Sequence, residues 1–592
     1  MSSVAKAEEP IDGDLNVQQR SNTPNSSIFS NENQNQNEKV KVIHETNVGK
    51  HEQADGFSSD ADSDEALIRS MGYKPVLHRT FRFFESFAAS FAAMDVVSGV
   101  RLTFSYGVTF GGPAAYWVSM LVTGVCSTIT AASLAEFCSA LPTSGSVYLW
   151  AAEAGGPQLG RFFSFLVAWW STTAWTTFVA STSQSCVNFI FGEVSAFGGS
   201  WSTDDSNVKF RAVQWIIAEV VLALVILLNQ VPPRYYKWIF KISMALIFID
   251  YILNLIWLPI ATSKKSHGFQ SAKWVFTETI YDQAGYSKEV YDTNGNIDTN
   301  LSKLVPKGWQ WCLAYFASAG VIVGYDASGH IAEETKDASN KAARGIFFSA
   351  LTSSIVAFSL TILFLFCCPP LDTFNNIMYS TASPQPFVSF YSYVLGRGGH
   401  VVMNVIIILE LFLNAVIGVL ACSRLVFGVA RDGVLPFSGW ISQVSKGGQP
   451  KNAITVIFIV SALLLCTILP SSVAFSSLVS AAGAPSFACY ALLAFGRLFI
   501  TRDKFPKGKW SLGVFSKPCM VVSLLYNSFV FIVNISPYSY PVTGSDFNYA
   551  IVITGAVSIF AVICTLVIPR SRWLANRYRY DQSISSTDKS EK

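Results

Sequence analysis

The feature that most constrains this chain is a rhythm. From about residue 81 to 568, apolar runs of roughly twenty residues or more alternate with short polar connections. A helix rises 1.5 Å per residue, so about 20 apolar residues cross the ~30 Å hydrocarbon layer of a bilayer. Twelve runs meet that length: 81–108, 112–139, 160–192, 212–230, 238–260, 309–329, 345–368, 400–424, 452–470, 472–496, 518–536 and 548–568. The narrowest separation is at Pro470, where the ninth and tenth nearly fuse. Only 14% of the residues are charged, against about 25% in soluble domains, and most lie outside the runs. The predicted class is an all-α membrane protein with twelve transmembrane helices.

Residues 1–78 are polar and rich in Ser, Asn, Gln and Asp, a composition that cannot bury enough apolar surface to offset its ordering entropy, and read as a disordered tail. No basic stretch followed by an apolar run precedes the first span, so that span itself is expected to direct insertion. With the N-terminus inside, the inner loops hold 17 Lys and Arg against nine in the outer loops, and the N- and C-terminal tails add nine and six more. The positive-inside rule then places both termini in the cytoplasm, leaves 261–308 as a long extracellular loop, and puts the sequon Asn300-Leu301-Ser302 outside. The eleven cysteines are scattered along apolar stretches and read as small core residues, not staples or metal ligands. A net charge of +3 without a basic block on a folded domain argues against nucleic acid as a partner.

Ionisable groups inside a bilayer are costly and mark function by default. They are Asp95 and Arg101 in the first run, Glu136 in the second, Glu219 in the fourth, Asp250 in the fifth, Asp326 in the sixth and Glu410 in the eighth. The centres of the first and sixth runs, Met94 to Arg101 and Ala317 to Asp326, combine glycine with β-branched residues and are weak helix formers. Such segments at corresponding places in two sets of five point to an inverted repeat with a solute site between interrupted helices. Close-packing glycines explain the same residues, since pairs such as Gly320 and Gly324 are ordinary in membrane helices.

Phe83 to Phe87, Gly111-Gly112-Pro113-Ala114, Ser133 to Glu136 and Leu141 to Tyr148 resemble the amino acid–polyamine–organocation permeases, within them the fungal amino acid/choline branch that carries GABA, choline, polyamines or thiamine. Gly324 to Lys336 with Arg344-Gly345-Ile346, and Ser423 to Phe427 followed by Ala430 to Pro436, agree with that resemblance. It covers roughly 80–570 and implies a LeuT-type 5+5 inverted repeat over 79–569, with discontinuous helices 1 and 6, alternating access and proton-coupled uptake at the plasma membrane. Ser98, Gly99 and Val100 fall where relatives interrupt the first helix, and Phe316, Ala317, Ser318, Gly320 and Gly324 fall along the interruption of the sixth. Asp326, beside Tyr325, falls on an acidic inner-gate position.

Asp95 and Arg101 depart from the small or apolar residues of several relatives. Asp95 reads as a counter-ion for a cationic amine, and Arg101 as its resting partner or a carboxylate clamp. The bland alternatives are a permanent Asp95–Arg101 bridge, or an Arg101 that snorkels to the outer interface. Trp169, Trp170 and Trp175 offer aromatic faces to an ammonium group, with Trp170 a candidate contact. His330, one turn after Asp326, together with Glu136, Glu410 and Asp250, are candidates for proton coupling. Glu333 and Glu334 read as a solvated helix end.

No phosphate-cradling loop or paired-histidine metal motif is found, which argues against a pump or a membrane enzyme. No cofactor is called for. The expected activity is secondary import of a small amine-bearing solute; the alternative is a non-transporting nutrient receptor of the same fold. Lys39, Lys41, Lys50 and several serines in the N-terminal tail are candidate regulatory sites.

Overall fold

Backbone amides in an apolar layer must bond within their own segment or a closed sheet. The chain answers with helices, and among the described residues the only pairing of strand type is an isolated bridge between Phe81 and Thr335. The computed structural model describes residues 60–198, 202–204, 206–280, 306–378, 383–445, 447–470, 473–537, 542 and 547–574. Asn300, Lys39, Lys41 and Lys50 lie outside them.

In chain order the helices are α1 (Asp60–Ser70), α2 (Phe83–Met94), α3 (Val96–Thr109), α4 (Gly112–Ala140), α5 (Val147–Ala154), α6 (Gly156–Ala196), α7 (Val208–Leu228), α8 (Tyr236–Ser263), α9 (Ala272–Thr277), α10 (Lys307–Val321) and α11 (Ala327–His330). They continue with α12 (Ala338–Cys367), α13 (Leu371–Met378), α14 (Pro386–Arg431), α15 (Ser438–Ile441), α16 (Lys451–Leu465), α17 (Val473–Phe495), α18 (Ser516–Ile535) and α19 (Ala550–Val567). Ten stretches among the described residues are long and apolar enough to cross a bilayer, α2 and α3 counting as one. The sequence count of twelve also needs α6, a 41-residue helix diluted by Ser, Thr and Trp, and the interrupted pair α10 and α11.

Exposed faces of α7 (Ile216, Val220, Leu224, Leu227), α8 (Ile252, Ile256, Ile260) and α19 (Ile559, Leu566, Val567) are aliphatic, as suits hydrocarbon. The interior is built around α6 and α14, with α17 on α6, α4 against α12, and α3 against α10. All eleven cysteines are unpaired thiols.

Two boundaries differ from the sequence reading. Residues 60–78 are not all tail: α1 forms, and Ile68, Met71, Tyr73 and Leu77 are buried. Their apolar spacing within a polar flank lets this short segment bury side chains where 78 averaged residues cannot. The separation at Pro470 falls between a 3₁₀ turn ending at Ile468 and the start of α17.

Candidate functional site

Asp95 separates α2 from α3 in a left-handed conformation, φ 39° and ψ 59°, which Asp tolerates better than most side chains. The turn leaves carbonyls of α2 without helical partners, and Asn414 of α14 donates its Nδ2 to Ala92 O at 2.8 Å and Ala93 O at 3.1 Å. The sixth span breaks between Val321 and Ala327, with Gly324 at φ +101°, a conformation open to glycine. A Cβ on Gly324 would stand 3.7 Å from Trp175 and 3.9 Å from Ala93 O, so the two interruptions face each other. Gly99 lets α3 close on Val321, whose Cγ1 would be 3.4 Å from an added Cβ. Below the breaks Ser90 Oγ donates to Tyr325 O (2.7 Å) and accepts from Ser328 N (2.9 Å). The first interruption thus lies three residues before Ser98–Val100, which are helical, and the second begins at Ile322 while Phe316 to Gly320 remain in α10.

One turn into α3, Arg101 is sealed from the surface and turned inward. Its guanidinium grips both oxygens of Asp250 in α8 and donates to Tyr391 Oη at 3.3 Å, with Glu410 Oε2 3.5 Å away. Tyr391 donates to Asn254 Oδ1 (2.5 Å), and Asn254 Nδ2 returns to Asp250 Oδ1 (2.9 Å), closing the ring. Arg101 therefore neither snorkels nor forms an ion pair with Asp95, because Asp250 and Tyr391 offer a bidentate partner inside the protein. Neither oxygen of Asp95 meets a hydrogen-bond partner in bonding geometry; its polar surroundings are Ser98, Arg101 and Asp250. Ser98 Oγ donates to Glu410 Oε2 at 3.0 Å, and Glu410 Oε1 has no partner. Three carboxylates and one guanidinium are thus enclosed together.

On the other side of the break, Asp326 accepts from Tyr490 Oη (2.7 Å) and Trp175 Nε1 (3.4 Å), and lies 3.1 Å from His330 Nε2. Tyr325 stacks on Tyr490 with ring centroids 5.2 Å apart. A void of about 20 Å³ lies between Trp175, Phe178, Val323, Gly324 and Ser486. That is room for a water, not for an organic solute.

Glu333 and Glu334 are buried, which corrects their reading as solvated. Glu333 takes both terminal nitrogens of Arg431 (2.8 and 3.1 Å) and the amide of Ser144 (2.8 Å), while Glu334 takes Arg424 Nε (2.7 Å). These pairings come from α14 and the 141–146 turn, distant in sequence, which is why local polarity was misleading. Over them lies the segment after α1: Tyr73 stacks on Arg431 at 4.0 Å and donates to Asp432 Oδ2 (2.9 Å), and Phe81 exchanges backbone bonds with Glu334 and Lys336. The Tyr73 contacts together are worth about 1–3 kcal/mol. Tyr73→Ala is expected to raise the maleimide reactivity of a cysteine introduced at Ser144 at least about fivefold. Unchanged reactivity against the parent carrying that cysteine would show that the segment does not hold this end shut.

Other candidates sit elsewhere. Trp170 donates to Ser558 Oγ of α19 (2.8 Å), and it is Trp175 that faces the break. Glu136 accepts from Ser516 Oγ (2.7 Å) at the start of α18. Phe316 meets Tyr106 edge-on, Ser318 bonds Ser119 of α4 (2.6 Å), and Ala317 is packed in the core. Asn254, Tyr391, Asn414 and Tyr490 are site residues that carry no charge at neutral pH; Asn254, Asn414 and Tyr490 are polar groups inside apolar runs, a signal available in the sequence, while Tyr391 precedes the run 400–424 and has none.

Residues 81–557 match the family described as amino acid permease. The chain is 77% identical over 523 residues to the thiamine transporter thi9 of Schizosaccharomyces pombe, covering 88% of each chain. It is 26% identical over 508 residues to the amino-acid permease BAT1 of Arabidopsis thaliana, covering 84% of this chain and 93% of the relative. A BAT1 homologue of Oryza sativa is 26% identical over 517 residues, covering 86% and 94%. The protein is a multi-pass membrane transporter of a small organic solute, not an enzyme. With the match spanning most of its length and the interrupted helices in place, the chain belongs to the amino acid permease family of the amino acid–polyamine–organocation superfamily.

Proposed function

We propose that this protein imports thiamine across the plasma membrane, by alternating access and with a proton, through twelve crossings arranged as two inverted sets of five with both termini cytoplasmic. The observation that carries the reading is Asp95: a carboxylate sealed at the interruption of the first helix without an ion-pair partner, in a cluster with an excess of acids. Such a site favours a permanent cation over a zwitterion. Thiamine carries one in its thiazolium ring, and its flat aminopyrimidine suits the face of Trp175 across the break. The 77% identity to a thiamine transporter agrees with this choice among the amines. The void at Gly324 makes parting of the helices a precondition of loading, which is the motion alternating access requires.

The test is uptake of radiolabelled thiamine into proteoliposomes with an imposed proton gradient, competed with unlabelled choline, GABA and spermidine. Concentrative uptake that collapses with an uncoupler and is competed best by thiamine is expected. Binding without accumulation would make the protein a receptor, and equal competition by GABA would remove the cation from the argument.

A further inference from the structure

The enclosed charges do not balance. Arg101 is the single guanidinium for three carboxylates: it grips both oxygens of Asp250 and lies 3.5 Å from Glu410 Oε2, so with Asp250 matched, Asp95 and Glu410 together remain in excess of the one positive charge. Ser98 is next to both: it is the polar neighbour of Asp95 three residues on, and its Oγ donates to Glu410 Oε2 at 3.0 Å. All three groups are buried. Two like carboxylates in one dry site do not both ionise; they share a proton.

We propose that Glu410 is the proton-holding residue of the transport cycle, exchanging one proton with Asp95 through the Ser98 hydroxyl as the cationic solute arrives. This rests on the functional reading above. In the empty site one proton resides on the Asp95/Glu410 pair. When the solute cation approaches Asp95, the Asp95 carboxyl closes a hydrogen bond onto Ser98 Oγ and its proton passes there while the Ser98 hydroxyl proton passes to Glu410 Oε2 along the bond already in place. Asp95 is left as carboxylate, Glu410 as carboxylic acid, and the serine is unchanged. The loaded cluster then holds two positive charges, Arg101 and the solute, against Asp95 and Asp250, and is neutral only while Glu410 keeps its proton. Solute and proton therefore cross together. Gln cannot take that proton, and Asp250 is occupied by Arg101.

The other groups around Glu410 do not compete. On its own helix Tyr391 is engaged by Arg101 and Asn254. From α6 the Cys186 thiol bonds Ile408 O, and Glu193 pairs with His400 nearly three turns toward the start of α14. Glu219 of α7 accepts from Trp215 on its own helix.

The experiment counts protons. Purified full-length protein in weakly buffered detergent at pH 5 is titrated with thiamine against a pH dye. The wild type is expected to release about 0 protons per thiamine bound, with an affinity nearly flat between pH 5 and 7, because the proton stays on Glu410. In E410Q the empty site holds its proton on Asp95, which is buried and has no bonding partner, and thiamine must drive that proton into solvent; release approaches about one per thiamine, and affinity strengthens roughly tenfold per pH unit as pH rises toward neutrality. Equal proton counts and equally flat affinities in the two proteins would overturn the relay while leaving thiamine transport standing. Absence of thiamine binding to the wild type overturns the functional reading and the relay with it. Should E410Q not fold, infrared difference spectra of the wild type decide: a protonated-carboxyl band that shifts but persists on thiamine addition supports the transfer, and its disappearance ends it.

Discussion

Asp95→Asn is expected to lower thiamine uptake at least about 30-fold while leaving the amount of folded protein at the membrane unchanged or higher. Removing one member of a buried charge pair costs about 2–5 kcal/mol, and here the missing partner is the solute. Stability moves the other way because Asp95 has no ion-pair partner to abandon, and Asn keeps an oxygen for its polar neighbour Ser98. Asn is neutral and of the same size, and it tolerates the left-handed turn at φ 39°. The substitution therefore relieves a buried acid instead of orphaning a neighbour. Few substitutions of a buried residue carry this pair of signs, and a structural role for Asp95 would give the opposite pair. Uptake and the detergent melting temperature, measured on the same preparations, decide it. Uptake within about threefold of the wild type would remove Asp95 from the solute site.

Much of the fold was legible because hydrocarbon imposes a length and a composition on every crossing. The apolar runs give the helices, and the glycine-rich centres give the two interruptions, although the first turn falls on Asp95 and not on Ser98 to Val100. That offset has a local cause. Asp takes the left-handed turn, and what stabilises it is Asn414, more than 300 residues away, which no local pattern registers. Pairings were the least legible part. Arg101 lies six residues from Asp95, a spacing that invites a local bridge, yet its partners come from α8 and the start of α14. Glu333 and Glu334 read as solvated for the same reason, since Arg424 and Arg431 reach them only once α14 is packed. The Asp326–His330 contact was accessible because four residues on a turn bring side chains together without tertiary information.

The Arg101 cluster carries the second large effect, and its ordering is asymmetric. Arg101→Met removes the sole guanidinium from a site with three carboxylates, so Asp250 loses both of its charge-assisted bonds in a medium that cannot solvate it. Breaking a buried pair in this way costs about 3–5 kcal/mol, a large share of the 5–15 kcal/mol that holds a typical domain folded. Folded protein at the membrane is expected to fall at least about tenfold. Asp250→Asn is milder, because Glu410 Oε2 already lies 3.5 Å from the same guanidinium nitrogen and can take the charge. The double variant Arg101→Met with Asp250→Leu removes both members and fills the space with apolar atoms; replacements of that kind are often neutral or stabilising. It is expected to recover most of the folded protein lost in the single arginine variant without recovering transport, since Glu410 then has no fixed cation to set its proton against. Fluorescence-detected size-exclusion profiles of the three variants give the order. If Asp250→Asn proves as damaging as Arg101→Met, Asp250 holds the helices together through Asn254 and Tyr391, and balancing charge is not its principal task.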